Sequence, residues 1–169
     1  MDGFADSMIA RGPTLDADGE TATGSLHVLG LANVDAASEF VAHEPNNRAG
    51  VYAEHSIWRF ENLLGRTMWD FPGATEAPKF LIIARRRDGR EAPAAVRPTS
   101  AASLPTEMRS RLILYGGLLT PDGGNLIGVA LALQISGREA LDALLRDARL
   151  GLEAFPDAEV HHWEFGGRR

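Results

Sequence analysis

The stretch "RGPTLDADGETATGSLHV", Arg11–Val28, decides how this chain is read, because it returns as "YGGLLTPDGGNLIGVALAL", Tyr115–Leu133. At a shift of 104 residues, Gly12 falls on Gly116, Leu15 on Leu119, Asp18 on Asp122, Gly19 on Gly123 and Gly24 on Gly128. Ile9, Leu29 and Ala36 fall on Ile113, Leu133 and Ala140 at the same shift. After a one-residue slip, "AEHSIWRF" (Ala53–Phe60) lies on "AEVHHWEF" (Ala158–Phe165). An Asp-Gly pair between two apolar, β-prone runs is a hairpin signal. The chain therefore writes one strand–turn–strand phrase twice.

Working outward, the first copy predicts strands at Ile9–Leu15 and Gly24–Leu31. A helix with Val34, Ala37, Phe40 and Val41 on one face follows, then a final strand at Glu54–Phe60. The second copy repeats this order, with strands at Arg111–Leu119, Leu126–Ile135 and Glu159–Phe165. Its helix carries Leu141, Leu144 and Leu145, and Ser136 with Glu139 has the spacing of a capping box. The second copy has more in front: the apolar run "KFLIIAR", Lys79–Arg85, and a short helix from about Pro105. It reads β-α-β-β-α-β, the ferredoxin-like order. The first copy lacks the first strand. Either a strand precedes Met1 in a longer chain, or another strand fills the gap.

The expected fold is α+β, two ferredoxin-like units with antiparallel sheets packed as a pseudo-dimeric α/β barrel. Residues 1–62 form the first unit, 63–78 a linker and 79–169 the second. Leu63, Leu64, Met68, Trp69 and Phe71 of the linker are expected to pack on the sheets, and a ligand is expected between the sheets.

Composition narrows the function. The chain has 169 residues, 44% hydrophobic and 24% charged, with net charge −6. That balance argues against nucleic acid as a partner. The one basic cluster, Arg85, Arg86, Arg87 and Arg90, reads as a solvated strand end. Without cysteine there is no disulfide, thiolate metal site or Cys nucleophile. No apolar run has bilayer length and the N-terminus does not read as a signal peptide, so no membrane partner is expected and a cytoplasmic location is the default. His161 and His162 are adjacent on a strand and point to opposite faces, so no metal site is expected.

Gly12-Pro13, Asp16 and Asp18-Gly19, the strand Gly24–Leu31, Glu44-Pro45 and "AGVY" at Ala49–Tyr52 together resemble the YCII (YciI-like) domain, over about residues 8–60. The second copy resembles it in outline. The resemblance implies a dimeric α/β-barrel fold and an acid–base site made by a helix-one His and an Asp near the hairpin. At least one relative is similar to a dehydrochlorinase acting on an aromatic ring. The helix-one His has no counterpart in this chain.

Within that frame, Asp16 and His27 are the candidate catalytic residues, and Arg11, Arg48 and Tyr52 the candidate substrate-binding ones. Asp16 does not repeat, since Thr120 stands at its place, whereas Asp18 repeats as Asp122 and reads as turn chemistry. Arg11 and His27 lie on adjacent strands, where the second copy has Tyr115 and Leu131. Arg11 suits a carboxylate or phenolate and His27 proton transfer. Arg48 and Tyr52 stand where a loop could close over a ligand. Two readings stay open. One is a cofactor-independent acid–base enzyme on a small aromatic or carboxylated metabolite. The other is a non-catalytic small-molecule-binding or assembly module. Both take a small-molecule ligand, and the barrel leaves homo-oligomer formation open.

Overall fold

The computed structural model describes residues 2–74, 76–86, 97–150, 152–155 and 157–167. Both Asp-Gly turns form, and they form alike. Gly19 and Gly123 take φ of 78° and 80°, the left-handed region that glycine enters without strain. In the first turn Asp16 N donates to Thr21 O and Gly19 N to Asp16 O. In the second, Thr120 N donates to Asn125 O and Gly123 N to Thr120 O, the same bonds 104 residues on. The side-chain bonds also correspond: Glu20 N to Asp18 Oδ1 matches Gly124 N to Asp122 Oδ1.

These turns join β1 (Met8–Leu15) to β2 (Ala22–Leu29) and β5 (Leu112–Leu119) to β6 (Leu126–Gln134). Their registers match as well. Arg11 faces His27 in one pair, and Tyr115 faces Leu131 in the other. With β3 (Arg59–Asn62), β4 (Lys79–Arg85) and β7 (Asp157–Trp163) they make one antiparallel sheet, ordered β2-β1-β7-β4-β6-β5-β3. The strands thus form a single curled sheet, in keeping with the barrel-like α+β fold that the sequence suggested. The halves are cross-joined. β1 pairs with β7, and β3 pairs with β5.

Two glycines permit that joining. A methyl group on Gly12 would stand 1.8 Å from the Glu164 carbonyl oxygen, and one on Gly116 would stand 2.0 Å from that of Glu61. Only hydrogen fits at either junction, which is why glycine repeats there.

The helices are α1 (Val34–His43), α2 (Pro45–Arg48), α3 (Thr106–Arg111) and α4 (Arg138–Leu145). Asn33 caps α1 by accepting from Ala36 N at 2.9 Å. At α4 the capping box expected from Ser136 and Glu139 does not form. The cap position is Gly137, with no side-chain bond.

Alternation sorts the strand residues onto two faces. Phe80, Ile82, Val129, Leu131 and Leu133 point to one side and pack with Leu104, Leu141, Leu150 and Phe155. On the other side Ala10, Val28, Leu81, Ala132 and Trp163 pack with Met68, Trp69 and Phe71. That inner cluster draws Leu26 and Val28 from one end of the sheet and Phe60 from the other, which requires the sheet to curl into a half-barrel. The expected linker packing forms on both faces: Leu63 and Leu64 join the outer cluster, Met68, Trp69 and Phe71 the inner one. On the face where the sequence placed a ligand, this chain's own Met68 packs against the sheet; it is 1% exposed and accepts from Arg11 N through its sulfur.

One strand is shorter than its repeat. Glu54–Phe60 reads as a strand, but pairing begins only at Arg59. The physical reason lies in the partners. β7 is held over Asp157–His162 by β4, and the first half has no counterpart of β4 among the described residues.

Candidate functional site

Arg11 on β1 and His27 on β2 are direct cross-strand partners. Their side of the hairpin is roofed by α1, whose Phe40 ring lies 5.2 Å from the His27 imidazole and 5.3 Å from Phe4. Ser25 Oγ lies 3.5 Å from His27 Nδ1 on the same face. Burial holds the His27 pKa below its ordinary value, the Arg11 guanidinium lowers it further, and the Glu44 carboxylate opposes both. His27 is thus a neutral imidazole at pH 7, able to accept a proton.

Glu44 is the residue that sequence reasoning missed as a participant. Its backbone ends α1 and its side chain caps α2, accepting from Asn47 N at 2.7 Å. It is 5% exposed. Asn46 Nδ2 bridges it to the Tyr52 hydroxyl, donating at 3.4 Å to Glu44 Oε1 and at 3.3 Å to Tyr52 Oη. The available signal was the Glu-Pro pair itself, an acceptor placed just ahead of a proline that starts a helix.

The other candidates are placed as follows. Tyr52 belongs to the Glu44 network. Arg48 is exposed on α2. Asp16 sits in the β1–β2 turn, five residues along the strand from Arg11, roughly 17 Å at about 3.4 Å per residue. Its carboxyl is held below the usual range, first by a hydrogen bond with Asp18, then by the turn amides of Thr21, Glu20 and Asp18. The structure brings Arg11 and His27 together, with Glu44 beside them, and leaves Asp16 at the turn.

The second half carries no such group at the equivalent place. Tyr115 and Leu131 are both 0% exposed and belong to the core. An open groove of about 370 Å³ between α3 and α4 is lined by Pro105, Met108, Leu144 and the ion-paired Arg111 and Arg149. Of the basic cluster, Arg85 pairs with Glu159 and covers Trp58, while Arg87 and Arg90 lie outside the described residues. Among the described residues no three His, Asp or Glu side chains converge on a metal position. No described helix is long and apolar enough to cross a membrane.

The curled antiparallel sheet with helices on its outer face defines an α+β protein of barrel-like architecture. Residues 4–61 match the model of the YCII-related domain, the segment that contains the Arg11, His27 and Glu44 group. Searches of curated proteins and of solved structures gave no significant match.

Proposed function

We propose that this chain binds a small anionic metabolite on the α1 side of the β1–β2 hairpin and carries out cofactor-independent acid–base chemistry there. Arg11 anchors a carboxylate or phenolate and His27 moves the proton. The observation that carries this reading is the half-buried Arg11–His27 pair beside Glu44, present in the half that matches the YCII-related domain and replaced by core residues in the other. A planar guanidinium offers a carboxylate two parallel N–H bonds. A desolvated, uncharged imidazole next to it is a base at neutral pH. Asp16 serves the turn in this reading, since a carboxylate stabilised by turn amides is a weak base.

The reading includes a tandem origin: residues 1–62 and 79–169 are two YCII-like units of the dimeric α/β-barrel type, joined by 63–78. The matching turn bonds, matching strand registers and reciprocal β1–β7 and β3–β5 pairing support it.

A second reading, a non-catalytic binding or assembly module, is favoured by the packing of Met68, Trp69 and Phe71 on the inner face. The two are separated by thermal shift with small aromatic acids, phenols and lactones, on the chain and on Arg11→Gln, His27→Gln and Asp16→Asn. The acid–base reading expects a ligand whose stabilisation is lost in Arg11→Gln and retained in Asp16→Asn. It also expects exchange or turnover of that ligand that His27→Gln abolishes. Stabilisation lost in Asp16→Asn and kept in Arg11→Gln would overturn the assignment. Ligand binding without turnover would favour the module.

A further inference from the structure

The sheet ends in two edges that the internal correspondence pairs with the same missing neighbour. β4 lies between β6 and β7, antiparallel to both, with Ile82 opposite Leu131 on one side and Val160 on the other. The first-half counterparts of β6 and β7 are β2 and the segment 52–58. Among the described residues no strand pairs with the outer edge of β2, and 52–58 forms no strand. Yet Ala53, Glu54, Trp58 and Phe60 repeat Ala158, Glu159, Trp163 and Phe165 of its β-forming counterpart. Most of residues 51–58 are exposed, and Val51 is 65% exposed.

The composition does little to blunt these edges. Natural edge strands carry Lys, Pro or inward charge against unwanted pairing. β2, "ATGSLHVL", has no charged residue and no proline, and 52–58, "YAEHSIW", has Glu54 alone. We infer that the seam between β2 and residues 52–58 receives an extended polypeptide strand, apolar on both faces as β4 is, antiparallel to both edges. Taking β4 as the template, its central residue enters between His27 and His55, as Ile82 enters between Leu131 and Val160. The eighth strand closes the half-barrel, converts 52–58 into the missing part of β3, and walls the Arg11–His27 face. The outer edge of a second copy's sheet does not satisfy the seam. An edge strand is already paired on one side and covers one of the two edges. The occupant is therefore a strand free on both sides. This inference rests on the correspondence of the two halves and is independent of the acid–base reading.

The test uses a synthetic peptide with the β4 sequence KFLIIAR between solubilising lysines, and a control with proline in place of the residue matching Ile82. Backbone amide exchange of the full chain is followed by NMR, without any small ligand. The expected result is slowing of exchange by roughly tenfold or more in both 22–29 and 52–58 with the first peptide and none with the control. Joining the same heptad ahead of Met1 through a flexible linker raises its effective concentration to about the millimolar range. That fusion is expected to raise Tm, and its proline version is not. Absence of protection in both formats, or protection of one edge alone, overturns the proposal. So does protection in the unsupplemented chain accompanied by dimer in sedimentation, which would assign closure to a second copy.

Discussion

Gly12→Ala tests the cross-joined architecture most directly. The added methyl would stand 1.8 Å from the Glu164 carbonyl oxygen and 2.9 Å from Gly166 N, both backbone atoms that no rotamer change can move. Relief requires the end of β7 and the chain after it to separate from β1. Three hydrogen bonds hold it there: Gly166 N to Arg11 O at 2.8 Å, Glu164 N to Pro13 O at 3.3 Å, and Trp163 Nε1 to Gly12 O at 3.3 Å. At about 1 kcal/mol net for each bond, their loss costs about 3 kcal/mol. Overpacking of the adjoining core adds about 1 kcal/mol or more. The expected loss is about 4 kcal/mol, a large part of the stability of a typical domain. With an m-value of about 2 kcal/mol/M, the urea midpoint falls by about 2 M. Gly30→Ala is the control, because its nearest neighbour is Ser7 O at 3.8 Å. It should change stability by less than about 1 kcal/mol. Equal midpoints for Gly12→Ala and Gly30→Ala would refute the close approach and with it the joining of the halves.

Other outcomes follow from single groups. Tyr115 is buried and its hydroxyl has no hydrogen-bond partner among the described residues, so Tyr115→Phe should be neutral or stabilising by up to about 1 kcal/mol. Burial pushes the Tyr115 pKa up to about 12, so the fold favours its neutral form. That contribution is full below pH 10 and is lost as pH rises toward about 12, and Tyr115→Phe should flatten this alkaline decline in denaturation measured against pH. His27 has a lowered pKa, so the unfolded chain binds its proton more readily. Its contribution is present above about pH 6.5 and is lost as pH falls through the folded value. By NMR titration, Arg11→Gln should raise the His27 pKa and Glu44→Gln should lower it. Glu44→Ala removes the α2 cap and should cost about 1 kcal/mol by chemical denaturation.

The parts of this fold that were legible in the sequence are those decided locally. Asp18-Gly19 and Asp122-Gly123 announce hairpins because glycine's left-handed freedom and an aspartate acceptor are intrinsic to the turn. The run Lys79–Arg85 announces a strand because its residues are apolar and β-prone, and β4 has those bounds. What escaped the sequence is decided by distant partners. Glu54–Trp58 has a strand's sequence and no strand beside it. Gly12 and Gly116 repeat visibly, but that each receives a carbonyl from the opposite half depends on how β3 and β7 cross. The site was half legible for the same reason. Arg11 and His27 are paired by the hairpin's own register. Glu44 acts on His27 electrostatically only because α1 folds back over β2.

The bond from Trp163 to Gly12 spans 151 residues. A ribosome adding about 5–20 residues per second needs roughly 8–30 s to cover that distance. For that interval the nascent hairpin β1–β2 is in the cell without the strand that flanks it, its apolar inner side uncovered. Loss of the last few residues would strip the first half of a neighbour it never made for itself. In such a chain the beginning cannot finish folding before the end has been made, and its exposure to chaperones and proteases is set by the speed of translation.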